Sequence, residues 1–238
     1  MAFVIRSFPR SGTHMLRTSL NKHPLITCHN EVFHPDITPA IELRSKPIKQ
    51  LYAEFTGEYT GFVAHGYSHL ERYKADQVLQ DLWVYLCGQP VKIIVLERKD
   101  QLRRAFSVFR SLQSQRWHMW KRQQGGAGLC RPRVEASSLE YQLRTSLMSQ
   151  RLSRILYPDA YYVTYEELAD NWHARIMEMQ EIIGVPEPLP VEPLTAKQDK
   201  RPIAEMVSNY QELKDVFKYS EYAEYFDYAE QADEHYQV

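Results

Sequence analysis

Residues 7–16 read SFPRSGTHML. A β-rich segment, residues 2–7, runs into Pro9, a Ser-Gly-Thr turn and a stretch with Met15, Leu16 and Leu20 on one helical face. A strand, a glycine turn and a helix start make a nest of backbone N–H groups, and the helix dipole adds to their field. An anion is the natural guest. Ser11 and Thr13 add hydroxyl donors, and Arg10 adds a planar charged fork suited to phosphate or sulfate oxygens. A tight turn with a hydroxyl N-cap would need no more than the same Ser and Thr. The ATP-binding loop G-x-x-x-x-G-K-[ST] carries a second Gly and a Lys before the hydroxyl, and this turn has neither. Nor does an apolar strand end in an Asp placed to hold magnesium.

A second group of residues lies in LERKDQLRRAFSVF, residues 96–109. Arg98 closes the most apolar segment of the chain, and Ser107 follows about two turns into the next helical stretch. A cation at a strand end and a hydroxyl on the adjoining helix can converge on one further phosphate, through charge-assisted hydrogen bonds. Arg103 and Arg104 are read instead as an exposed, solvated helix face.

The elements that would position these residues alternate. Strands are expected at 2–7, 25–30, 61–67, 91–97 and 160–165. VKIIVLE (91–97) is a near-continuous apolar run, as for a strand covered on both faces of a parallel sheet. Helices are expected at 13–22, 74–87, 100–122, 138–155, 171–183 and 202–218, with Gly88 and Gly184 as stops. Residues 31–60 read as loop with short helices, 123–133 as a glycine-rich loop, and 186–194 as a proline-rich crossing. The fold class is α/β, a three-layer sandwich with a mainly parallel central sheet and a phosphate-loop-like first turn. In such sheets ligands bind at the carboxyl ends of the strands, where SFPRSGT falls. One domain over residues 1–238 is expected, with an acidic, tyrosine-rich tail at 219–238 whose order the sequence leaves open.

Composition narrows the function classes. Apolar residues are 44%, charged residues 25% and the net charge is −1, which argues against a general nucleic-acid binder. No apolar run approaches the roughly 18 residues of a membrane span, and the opening MAFVIRSF is too short and too soon charged for a signal peptide. The three cysteines, Cys28, Cys87 and Cys130, suit a reducing cytoplasm and carry no metal signature. His65 and His69 are four apart on a strand segment, so they share no helical face for a metal.

PRSGTHML followed by LERKDQLRRAFS resembles the paired signature of sulfotransferases that use 3′-phosphoadenosine 5′-phosphosulfate (PAPS). The first motif is similar to their 5′-phosphosulfate loop, P-[KR]-[ST]-G-T-x-x-L, and the second to their 3′-phosphate motif. The run R-x-x-x-L-R-R-x-x-S most resembles the bacterial branch acting on carbohydrates and glycolipids. RWH (116–118), VTYEELADN (163–171) and TAKQDKRPIAEMVSNYQEL (195–213) resemble later segments of that branch, in order.

The resemblance implies a sulfotransferase fold with PAPS as sulfuryl donor and no required metal. It assigns the 5′ end of the donor to Arg10, Ser11, Gly12, Thr13 and His14, and the 3′-phosphate to Arg98 and Ser107. Lys197 and Gln198 would close over the nucleotide. Arg10 stands where relatives more often carry Lys; it keeps the charge but does not give up a proton. The acceptor hydroxyl needs a base. Glu31, in NEVFHP, matches a Glu of related bacterial enzymes, and His65 is the rival, since animal relatives use a His. A loop acid paired to an Arg is the plainer reading of Glu31, and a satisfied hydrogen-bonding residue that of His65. Glu31 and His34 are expected near the acceptor, with Trp117 and His118 at its entrance beside the 123–133 loop, a candidate lid.

The leading expectation is therefore a cytoplasmic enzyme forming a sulfate ester on a hydroxyl of a carbohydrate, glycolipid or small metabolite. A small-molecule or nucleoside kinase with a degenerate loop and a catalytically silent nucleotide-binding scaffold are the alternatives.

Overall fold

A computed structural model of the chain describes residues 2–31, 48–54, 56–65, 84–86, 88–114, 130–194 and 201–236. The fold is α/β. Five strands, β1 (Phe3–Ser7), β2 (Thr27–Glu31), β3 (Thr60–His65), β4 (Lys92–Glu97) and β5 (Tyr161–Thr164), form one parallel sheet in the order β2-β3-β1-β4-β5. The helices are α1 (Thr13–Leu20), α2 (Ile48–Glu54), α3 (Gln101–Ser114), α4 (Ala136–Leu156), α5 (Tyr165–Asp170), α6 (Trp172–Ile183), α7 (Tyr210–Phe217) and α8 (Ala223–Tyr236). All five strands lie within one or two residues of their sequence-derived spans. The expected helix over 74–87 falls mostly outside the described residues, as does 115–122 of the expected long helix.

The chain divides into two compact units, residues 1–97 with 148–193 and residues 98–147 with 194–238. The first unit holds the sheet. Side chains alternate across a strand, so register decides which residues share a face. On one face Phe3, Ile5, Ile94, Leu96, Val63 and Val163 pack beneath Leu16 and Leu20 of α1, Leu168 of α5, and Ile176, Met179 and Ile183 of α6. The other face carries Arg6, buried to 1% exposure, whose guanidinium donates to Ser153 Oγ (2.6 Å) and Ser149 Oγ (3.4 Å) on the last turns of α4. Helix, sheet and helix thus make three layers. Gly184 ends α6 with φ at 93°, the left-handed conformation that a glycine stop supplies without a Cβ penalty.

The second unit is helical. Leu102, Ala105 and Phe106 of α3 pack with Val134, Leu139 and Leu143, with Val207 and Leu213, and with Phe226 and Ala229 of α8. The acidic, tyrosine-rich segment thus forms a helix through Tyr236, with Phe226 at 1% exposure. The expected helix over 202–218 is a 3-10 turn, Ile203–Glu205, followed by α7. Asn209 breaks the run: its side-chain amide pairs with both backbone groups of Val134, at 3.0 and 2.9 Å.

One expectation is overturned. Arg103 and Arg104 are not an exposed face; they are 2% and 0% exposed. Arg103 is held by Asp100 and Asp233 and donates to the Arg201 carbonyl. Arg104 donates to Gln101 Oε1 and to the Gln142 carbonyl, each at 2.9 Å. Helix α3 is enclosed on several sides within its unit, so its cations sit among buried acceptors rather than in water.

Candidate functional site

Because the strands are parallel, their last residues share one edge of the sheet. Those residues are Ser7, Glu31, His65, Glu97 and Thr164. Register makes Ser7 and His65 direct neighbours on β1 and β3. Glu31 reaches the same face through a bulge: His29 pairs with Phe62, but Glu31 rather than Asn30 pairs with Val63. One extra residue switches which side chain points to that face. Without the bulge, Asn30 would stand where Glu31 does.

The outcome is a chain of hydrogen bonds. Glu31 Oε1 lies 2.8 Å from His65 Nε2, His65 Nδ1 lies 3.0 Å from Ser7 Oγ, and Ser7 Oγ lies 2.7 Å from Thr13 Oγ1. The His65 side chain is 11% exposed and that of Glu31 25%. Burial alone would depress the imidazole pKa, but the Glu31 carboxylate and its hydrogen bond, with a backbone contact from Ser7, raise it above the ordinary value. Glu31 and His65, rivals on sequence grounds, are partners here. His65 has both ring nitrogens engaged, whereas Glu31 retains more access to solvent.

The chain ends at the first turn. Thr13 opens α1, and Gly12 before it adopts φ 90° and leaves the helix without a side-chain cap. The aromatic ring of Tyr165, which opens α5, packs on Gly12 so closely that a Cβ there would meet its Cδ2 at 2.6 Å. Arg10 is also left-handed, with φ 69°. For a non-glycine residue this costs about 1–2 kcal/mol and tends to persist at functional positions. Ser11 is 1% exposed, and its Oγ has no hydrogen-bond partner among the described residues. A buried, unpartnered hydroxyl is costly and calls for an explanation. An anion seated in the turn would supply its acceptor.

Arg98 follows β4 directly, and Ser107 is buried in α3; both belong to the second unit. Burial and then the nearby like charge of Arg98 lower the pKa of Arg104 to about 9, while Tyr225 raises it. Gln101 ties this region together, donating to the Arg98 carbonyl while its Oε1 accepts from Arg104 and Ser146. His14 is half-buried at the start of α1. His34, Trp117, His118, Lys197 and Gln198 lie outside the described residues.

The fold has a counterpart among solved structures. A sulfotransferase from Alicyclobacillus acidocaldarius matches over 99% of this chain and 98% of its own, with a TM-score of 0.51 and 14% identity. The two proteins share a fold. The mouse sulfotransferase SULT7A1, solved in complex with PAP, matches over 90% of this chain with a TM-score of 0.45 and 16% identity. The present chain covers 65% of that protein's chain. A shikimate kinase from Bacteroides thetaiotaomicron matches over 78% of this chain and 99% of its own, with a TM-score of 0.36 and 14% identity. No protein-family model and no curated protein sequence matches the chain.

Sequence reasoning missed three features. Ser7 was read only as strand, because its pairing with His65 depends on register. Glu97 leaves no mark in the sequence, because its character comes from burial, which pushes its carboxyl above the usual range against the pull of Arg154, 2.9 Å away. Helix α5 was missed despite a readable signal: Thr164 and Glu167 form a capping box, the T-x-x-E pattern at a helix start.

Proposed function

We propose that this protein is a PAPS-dependent sulfotransferase that forms a sulfate ester on an acceptor hydroxyl. The observation that carries the reading is the Pro9–Thr13 turn. It combines an uncapped helix start, a buried hydroxyl with no described partner and a hydrogen-bonded link to an acid–imidazole pair, at the carboxyl edge of a parallel sheet. The fold shared with a solved sulfotransferase supports it.

The donor supplies an activated sulfuryl group on a good leaving phosphate. The residues of the chain bind it, screen its charge and handle the acceptor proton. The amides after Gly12, with the Ser11 and Thr13 hydroxyls, bind the 5′ end, joined by His14. Arg10 stabilises the charge that grows on the leaving side. Arg98 and Ser107 take the 3′-phosphate. The like charge of Arg98 acting on the buried Arg104 supports this role, since an anion there would offset it. Lys197 and Gln198 close over the nucleotide.

Glu31 is the base that accepts the proton of the acceptor hydroxyl. Its greater exposure supports that choice over His65, whose ring nitrogens are both engaged; His65 orients the carboxylate. His34, Trp117 and His118 line the acceptor entrance. The acceptor is a carbohydrate, glycolipid or small metabolite, following the resemblance to the bacterial branch, and the enzyme works in the cytoplasm.

An acceptor screen with labelled PAPS tests the reading. Label should move to a hydroxyl acceptor from one of these classes without added metal. Magnesium-dependent transfer from ATP in the same screen, with none from PAPS, would replace the reading with a kinase.

A further inference from the structure

The relay from Glu31 to Thr13 has a property that neither end has alone. A hydroxyl carries one hydrogen, so a chain of two hydroxyls must run in one direction or the other. Among the described residues, the side-chain hydroxyls of Ser7 and Thr13 have no hydrogen-bond partners besides those in this relay. Both are buried, at 4% and 7% exposure.

When His65 carries two ring protons, Nε2 donates to Glu31 and Nδ1 donates to Ser7 Oγ. The Ser7 hydrogen then goes to Thr13 Oγ1, and the Thr13 hydrogen is left to donate outward. When His65 is neutral with its proton on Nε2, Nδ1 accepts the Ser7 hydrogen and Ser7 accepts that of Thr13. Thr13 is then left with lone pairs alone to offer. An anion beside the first residue of α1 gains a donor in the first arrangement and meets lone pairs in the second.

The geometry points to Ser7 as a positioning residue that couples the proton on His65 to the direction of the Thr13 hydroxyl, so that an anion in the Pro9–Thr13 turn is bound together with a proton on the imidazole. This rests on the turn being the donor's anion site. The groups acting on the ring are Glu31 from β2, which is charged, and Ser7 from β1, which is neutral and meets the ring through both its hydroxyl and its backbone. The Glu31 carboxylate raises the imidazole pKa above its ordinary value against the effect of burial, so the ring keeps its second proton to higher pH than a free imidazole does. By linkage, an anion that raises the His65 pKa by one unit binds about tenfold tighter at low than at high pH. In a sulfotransferase the coupling would favour donor binding while His65 and Glu31 form an ion pair.

The test follows the imidazole resonances of His65 by NMR and the affinity for adenosine 3′,5′-bisphosphate (PAP) by calorimetry, both from pH 5.5 to 9. In the unaltered protein, saturating PAP should raise the His65 pKa by about one unit. Ser7→Ala should at least halve that rise and flatten the affinity profile, whereas Thr13→Ser, which keeps a hydroxyl, should retain both. The ligand's own titration is common to all three proteins and cancels in the comparison. Binding with an unshifted His65 in the unaltered protein would overturn the coupling without any variant. So would Ser7→Ala with an undiminished shift, and in both cases the donor reading survives. Absence of PAP binding at every pH would overturn the donor reading and the coupling with it.

Discussion

The imidazole of His65 and the carboxylate of Glu31, on adjacent strands, meet at 2.8 Å only because a bulge in β2 turns Glu31 to the His65 face. Glu31→Gln removes the partner that outweighs burial, so the His65 pKa should drop. A folded-state pKa above the unfolded value stabilises the protein fully below the unfolded value, near 6.5, and that stabilisation fades as pH rises through the folded one. The stability gap between the unaltered protein and Glu31→Gln should therefore be widest at acid pH and narrow towards pH 9. Chemical denaturation across that range checks the sign; a gap that widens with pH would contradict it.

In turnover, Glu31→Gln should cost about 10²–10⁴-fold, the usual contribution of a general base. Nucleotide affinity should move by no more than about tenfold, the equivalent of one pKa unit on His65. Steady-state kinetics with calorimetry separates the two effects, and unchanged turnover would remove Glu31 from the mechanism.

Gly12→Ala combines a left-handed backbone with a 2.6 Å clash against the Tyr165 ring. The backbone alone should cost about 1–2 kcal/mol, and displacement of the turn should weaken PAP binding as well. Denaturation midpoints and calorimetry read the two losses. An alanine variant with unaltered stability would mean that the turn is not held as described.

Arg103→Ala should destabilise the protein by about 3–5 kcal/mol, because it removes the buried cation that pairs with both Asp100 and Asp233. An exposed helix cation would cost under about 0.5 kcal/mol. Equilibrium unfolding distinguishes the two.

The strands were legible in the sequence because each is a compact apolar or alternating run between turn residues, and 91–97 stands out for being covered on both faces. The turn at 7–13 was legible as well, since strand, glycine and helix start are local signals. The pairing of Glu31 with His65 and Ser7 was not. It depends on strand order, on register and on one inserted residue, none of which leaves a local mark. The burial of Arg103 and Arg104 was hidden for a similar reason: their spacing fits a solvated helix face, and only the packing of α8 and the 201–206 segment against α3 makes them interior. The acidic tail looked ambiguous because its acids mask the apolar contacts of Tyr222, Phe226 and Ala229.

Arg98→Ala should weaken binding of adenosine 3′,5′-bisphosphate far more than binding of adenosine 5′-phosphate. Equal losses for both nucleotides would remove the 3′-phosphate role of Arg98.

Calorimetric titration of the unaltered protein with adenosine 3′,5′-bisphosphate and, in parallel, with ADP in the presence of magnesium tests the donor assignment most directly. The account predicts tight binding of the bisphosphate without metal and at least about tenfold weaker binding of ADP, equivalent to about 1.4 kcal/mol. Preference for magnesium-ADP, or no binding of the bisphosphate, would contradict it.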